Sequence, residues 1–326
     1  MAGEVEGLKP SAGIALKVKV LGVSDDIIRF VVEDCDVALA NALRRTMIAE
    51  VPTMAIDDIF YFDNSSIVPD EVLAHRIGMV PLKTDLDNYV LPERCDCGAE
   101  LGCPKCRATM TLDIKAGAEI RVVYSGDIVS ADPVTTPVNQ YIPLAKLAPG
   151  QAIRFEAYAQ LGKGKINSKW SPVSMAIYQN VAEIMSSDKA LLKACAEECP
   201  KAVIPVGANK IKVVDVQSFN RSESCTKLIG EGSLRENMKE DEFAFTVEST
   251  GALKPERIVA EAVKILEEKL VELNRKLEGG EVHEEILDFE APQEVGRKLY
   301  AVGTGEFDEE EEGEGEEEGG PRFEES

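Results

Sequence analysis

The sequence predicts an α+β protein, and three observations carry that prediction. Segments with strict apolar alternation lie near both ends of the 326-residue chain, each beside an amphipathic helical pattern, and a β-rich middle stretch encloses four closely spaced cysteines. With 44% hydrophobic residues, the chain can bury real cores in about two or three domains.

The first element is a β-hairpin. Ala15 to Leu21 alternates with Leu16, Val18 and Val20 on one face, and Ile28 to Glu33 alternates with Ile28, Phe30 and Val32. Gly22-Val-Ser-Asp-Asp26 turns between them. A helix then follows, with Asp36 suited to its N-cap and Pro52 placed to stop it. At about 100° per residue Leu39, Ala40, Leu43, Met47 and Val51 share one face, with Asn41 and Arg45 opposite. Ile56 to Phe62 reads as a strand, Asn64-Ser-Ser as a turn, and Asp70 to Ile77 as a short helix closed by Gly78. His75 in that helix has no second histidine or nucleophile near it in sequence and reads as structural. Further strands are expected at Thr109 to Ile114, Ile120 to Tyr124 and Gln151 to Leu161.

Two strands and one helix cannot close a core alone. Their complement lies far downstream, where Glu242 to Glu248 alternates and Pro255 opens a long helix. There Val259, Val263, Leu266, Leu270, Leu273 and Leu277 form a heptad seam, widened by Ile258, Ala262 and Ile265. A stripe so wide needs two neighbours.

Cys95-Asp-Cys97-Gly-Ala-Glu-Leu-Gly-Cys103-Pro-Lys-Cys106 packs four thiols into twelve residues, with Gly98 and Gly102 to let the backbone fold around a centre. Four thiolates at this spacing suit one structural, tetrahedral Zn²⁺. Free thiols or a disulfide pair are the plain alternative. Cys195-Ala-Glu-Glu-Cys199-Pro matches the second half of the bacterial ferredoxin run, and Cys225 falls where a second run would begin. The first run lacks cysteines at Lys189 and Leu192, the second at Leu228 and Glu231. Cys195, Cys199 and Cys225 therefore read as degenerate iron–sulfur positions, no iron–sulfur cluster is expected, and the three are free thiols or, on oxidation, one disulfide plus a spare. Cys35 stands alone as a small buried hydrophobe.

The net charge of −23 opposes general binding to a phosphate backbone. Residues 306–326 hold twelve acidic residues and one arginine, a segment expected to be disordered. Gly162-Lys-Gly-Lys-Ile-Asn-Ser-Lys-Trp-Ser-Pro172 is a locally basic loop with an aromatic, a candidate nucleic-acid contact for which a solvated loop is the plainer reading. No catalytic set appears: two distant histidines, no phosphate-cradling loop and no Asp triad leave nothing for acid–base or two-metal chemistry. No apolar run approaches ~18 residues, so no membrane association and a cytoplasmic location are expected.

Asn41-Ala-Leu-Arg-Arg45, Pro52, Ala55-Ile56 and Asp70-Glu-Val-Leu-Ala-His-Arg-Ile-Gly-Met-Val-Pro-Leu82 together resemble the D family of archaeal RNA polymerase subunits, related to the third-largest eukaryotic subunit and bacterial α. The resemblance runs from about Ile14 to Leu277. It implies a discontinuous dimerisation domain (10–52 and 233–280), an inserted β-rich domain (53–178) with a zinc loop at 92–108, a degenerate ferredoxin-like domain (179–232) and an acidic tail (281–326). It also implies a non-catalytic assembly subunit that pairs with subunit L through Leu39, Leu43, Met47 and the Val259 to Leu277 seam. That pair would gather small subunits N and P and the large catalytic subunits, meeting DNA only indirectly. Where the family usually carries His-Ala in the 162–172 loop, this chain has Asn167 and Ser168. The competing readings are an iron–sulfur electron-transfer protein, against which the missing ligands count, and a zinc-dependent nucleic-acid binder, against which the charge counts.

Overall fold

The computed structural model describes residues 16–99, 102–207, 209–228 and 238–278. The acidic tail expected at 281–326, residues 10–15 and the stretch 229–237 lie outside the described residues. The described residues up to Asn274 form one compact unit.

The hairpin forms from β1 (Lys17–Val23) and β2 (Ile27–Glu33), antiparallel, with a bulge between Val20 and Gly22. Helix α1 (Val37–Ala49) follows. Asp36 holds its cap position with extended backbone but makes no side-chain capping bond. Pro52 opens the next strand, β3 (Pro52–Asn64), which is longer than the alternation suggests. Helix α2 (Asp70–Gly78) ends at its glycine. The middle of the chain supplies β4 (Arg107–Lys115), β5 (Arg121–Tyr124), β6 (Val129–Ser130), β7 (Pro143–Leu147) and β8 (Ala152–Lys163). Then come β9 (Val173–Met185), α3 (Lys189–Glu198), β10 (Val203–Pro205), β11 (Lys210–Val213), α4 (Val216–Arg221) and α5 (Glu223–Thr226). β12 (Met238–Ser249) and α6 (Pro255–Glu278) close the described chain.

Among the described residues, one six-stranded sheet has the order β1-β2-β12-β9-β11-β10, a four-stranded sheet the order β3-β8-β4-β6, and β5 pairs with β7. The larger sheet joins the first strands of the chain to its last, as the shared need for a core requires. On one face Phe30, Phe243, Phe245 and Val247 pack with Ala40 and Met47 of α1 and with Ile258 and Ala262 of α6. The Phe30 and Phe245 rings stack at 4.9 Å, and Tyr178 meets Phe243 edge-on at 5.4 Å. Each fully buried phenylalanine contributes about 1.5–3 kcal/mol.

A separate core fills the four-stranded sheet, where Met110, Leu112, Phe155 and Ala157 meet Leu73 and Ile77 of α2. Strand β9 runs through the expected boundary between 178 and 179 and pairs with β12 and β11 along its length. Residues 186–228 form a lobe whose strands β10 and β11 extend the larger sheet and whose core includes Leu192, Phe219, Ile211 and Val213. Val216 lies beyond β11 and begins α4. The Asp215 side chain accepts from the Ser218 N–H at 3.1 Å and so favours a helix start there.

Candidate dimerisation groove and metal centre

Between the hairpin, α1 and α6 lies an apolar groove of about 520 Å³, lined by Val18, Val20, Phe30, Leu39, Leu43, Val259, Val263, Leu266, Leu270 and Val271, among others. Its rim is open: Val18 is 62% exposed, Leu39 40%, Val263 51%, Leu270 60% and Val271 62%. Leu43, Val259 and Leu266 are half-buried, and Leu273 and Leu277 are exposed on α6. Contiguous apolar surface of this kind on a folded chain marks an interaction site.

Met47 differs from its helical neighbours. It is fully buried with Ala40 and Val51 in the core behind the groove. The single stripe seen in sequence is split by the sheet, so its inner edge (Ala40, Met47, Val51) fills the chain's own core and its outer edge (Leu39, Leu43) faces the groove. Met47 therefore offers no surface to a partner. Sequence reasoning misses the opposite wall, made by Leu16, Val18 and Val20, because their alternation reads equally well as a core face. Their place on a sheet-edge strand is the available signal.

The four cysteines of the 95–106 loop converge. Sγ atoms of Cys95 and Cys103 lie 3.7 Å apart, Cys103 and Cys106 3.8 Å, and Cys97 and Cys106 4.0 Å. All four sulfurs fall within 4.8 Å of one another. Four ligands at ~2.3 Å from a tetrahedral centre would sit roughly 3.8 Å apart, so the donor set fits one metal ion. Gly102, at φ +74°, closes the loop where a Cβ would come 2.8 Å from the Arg107 side chain and 3.0 Å from the Cys106 sulfur. The Cys103 N–H donates to Cys106 Sγ at 3.1 Å. The Lys105 N–H, helped by the neighbouring thiols and opposed by burial, pulls the Cys103 thiol down to about 7, while burial pushes Cys106 up.

In the basic loop Lys169 turns inward, while Lys165 is exposed. Lys169 Nζ donates to Asp57 Oδ1 at 2.6 Å and to the Ile56 carbonyl at 3.1 Å, and lies 4.4 Å from the centre of the Trp170 ring. Trp170 is buried and its indole N–H donates to the Gln160 carbonyl at 3.2 Å. Asn167 accepts from the Lys169 N–H and caps the short helical turn that positions both residues.

Cys195 and Cys225 are joined by a disulfide, and Cys199 is a free thiol with its sulfur 3.7 Å from the Ser218 carbonyl. The ferredoxin pattern assigns Cys195 to one run and Cys225 to the other; the fold instead bonds them to each other. Leu192 is buried and Leu228 packs on the same core, at positions where that pattern needs cysteines. His75 is exposed on α2.

A sheet joining β1 and β2 to β12, with an open apolar groove between its hairpin and two helices, defines a partner-binding protein in which a separate cysteine loop forms a metal-competent centre. The model of the RNA polymerase Rpb3/Rpb11 dimerisation domain matches residues 29–270, and the chain belongs to that family. Among its relatives, the DNA-directed RNA polymerase subunit Rpo3 of Archaeoglobus fulgidus is 36% identical over 263 residues, covering 80% of this chain and 98% of the relative. The Rpo3 subunit of Pyrococcus horikoshii is 37% identical over 257 residues, covering 78% and 95%. The DNA-directed RNA polymerase II subunit rpb3 of Dictyostelium discoideum is 33% identical over 290 residues, covering 81% and 95%.

Proposed function

We propose that this chain is the non-catalytic assembly subunit of a DNA-directed RNA polymerase. Its groove would take the helices of a smaller chain with the same kind of dimerisation domain, subunit L, and the pair would then gather small subunits N and P and the two catalytic subunits. The observation that carries this reading is the open apolar groove, whose exposed Val263, Leu270 and Val271 face no other part of the described chain closely enough to be covered. Cys95, Cys97, Cys103 and Cys106 would hold one structural Zn²⁺, which stabilises a loop with almost no apolar residues of its own. The 186–228 lobe acts as a ferredoxin-like domain without a cluster, since it holds three cysteines and two are bonded to each other. DNA contact is indirect, and the protein works in the cytoplasm.

Co-expression with the subunit L chain tests the reading. A soluble one-to-one complex is expected, and the lone chain should aggregate or self-associate through the groove. A monodisperse lone chain at micromolar concentration that ignores subunit L would overturn it.

A further inference from the structure

We propose that the Cys195–Cys225 bond is a lasting, solvent-shielded staple of the 186–228 lobe. It would form by exchange with a small-molecule disulfide while the chain folds, and would then be protected by the core that closes over it.

The lobe has a core of its own, but several of its elements are short. α4 spans six residues and α5 four, too short to persist unaided, and β10 spans three. α5 is otherwise tied down by its Ser222 cap and by Ser222 and Ser224 hydroxyls donating to Glu198 of α3. Cys195 on α3 and Cys225 on α5 are both 0% exposed, within a core that includes Leu192 and Phe219. Their Cα atoms lie 4.8 Å apart across a sequence separation of 30, which fits a disulfide. Cys199, one turn beyond Cys195, points its sulfur at the Ser218 carbonyl instead and stays a thiol.

The chemistry balances. One cysteine thiolate attacks the small disulfide and expels one small thiolate, and the second cysteine thiolate attacks the mixed disulfide and expels the other. Two protons pass from the cysteines to the two departing thiols, and the two electrons reduce the small disulfide. With both sulfurs buried, a later reductant must wait for the lobe to open. The sheet edge beside the lobe is held separately from the staple. β11 pairs with β9, and Lys212 on β11 reaches Glu33 of β2 at 2.8 Å and Glu242 of β12 at 2.5 Å.

The proposal rests on the cluster-free reading of the lobe, because a cluster would need these sulfurs as thiolates. The test uses the full chain co-purified with its partner, with thiols trapped by N-ethylmaleimide in denaturant at lysis. Peptide mapping should recover Cys195 and Cys225 as a linked pair, with Cys35, Cys95, Cys97, Cys103, Cys106 and Cys199 alkylated. Dithiothreitol should reduce the pair on the order of a hundredfold more slowly in the native protein than in denaturant. Cys225→Ser, and separately Cys195→Ala, should open 186–228 to limited proteolysis while 238–278 stays intact. Alkylation of all eight cysteines in iron-free protein would overturn the staple alone. The same result with bound iron would overturn the cluster-free reading as well. Equal native and denatured reduction rates would refute the shielding, and unchanged protease resistance in both variants would refute the structural role.

Discussion

Leu270→Asp separates the groove's role from the stability of the fold. Leu270 is 60% exposed on α6, so its replacement should leave the chain's own stability within about 0.5 kcal/mol. Fully burying a leucine is worth about 1.5–3 kcal/mol. With 60% of the side chain still open, about 1–2 kcal/mol remains for a partner to collect. Leu270→Ala should therefore weaken pairing about 5- to 30-fold. Aspartate adds a buried, unpaired carboxylate beside Glu267, which also lines the groove. Leaving a buried charge unpaired costs about 3–5 kcal/mol, so the aspartate variant should weaken pairing by at least about a hundredfold. The assay is competition of variant against wild type for limiting subunit L, read by native mass spectrometry, with Lys264→Glu on the same helix but outside the groove lining as the control. Wild-type pairing by Leu270→Asp, with unchanged circular dichroism, would refute the groove as the seat of the partner.

Three further outcomes are expected. Elemental analysis should find one zinc per chain, and Cys103→Ser should lower the content and release the rest to a mild chelator; equal zinc in wild type and variant would contradict the site. Trp170→Ala, which empties a buried indole site, should cost about 3–5 kcal/mol in denaturant titrations while leaving DNA affinity as weak as before, whereas a loss of DNA affinity at unchanged stability would restore the loop as a nucleic-acid contact. Lys210, which donates to Glu183, holds that carboxyl below its usual 4.5, against some burial and with help from Lys239 and Lys212. A lowered folded value means the stabilisation is complete above the usual value and is lost as the pH falls through the folded one, so acid unfolding of wild type should be steeper below pH 4.5 than that of Glu183→Gln; coincident acid curves would contradict the ion pairs.

How far the sequence can be read follows from where each strand sits between layers. β2 and β12 keep their large apolar residues (Phe30, Val32, Phe243, Phe245) on one face, with smaller Val31 and Ala244 in the opposite core, and the α6 seam repeats over many turns, so both are visible. β9 gives no such signal. Its inward residues serve different cores along its length, with Val173 and Ala176 under the helices, Val181 on the opposite face of the sheet, and Ala182 and Ile184 in the lobe. Alternation breaks wherever the covering layer changes. The cysteine loop is legible because metal ligation demands a short spacing, and its sulfurs do converge. The Cys195–Cys225 pairing is not, since three thiols allow three pairings and only the fold selects one. The role of Lys169 is also hidden, because a lysine in a basic loop gives no sign that it will turn inward to Asp57 and Trp170.

The central claim is that the groove between β1, α1 and α6 seats the smaller dimerisation-domain chain. A photo-crosslinking amino acid placed at Val263, and separately at exposed Tyr141 of the inserted domain, tests this in the polymerase assembled in cells. The account predicts that position 263 crosslinks to the subunit L chain while position 141 does not. Crosslinking of position 263 to any other subunit, or to nothing while 141 captures subunit L, would contradict it.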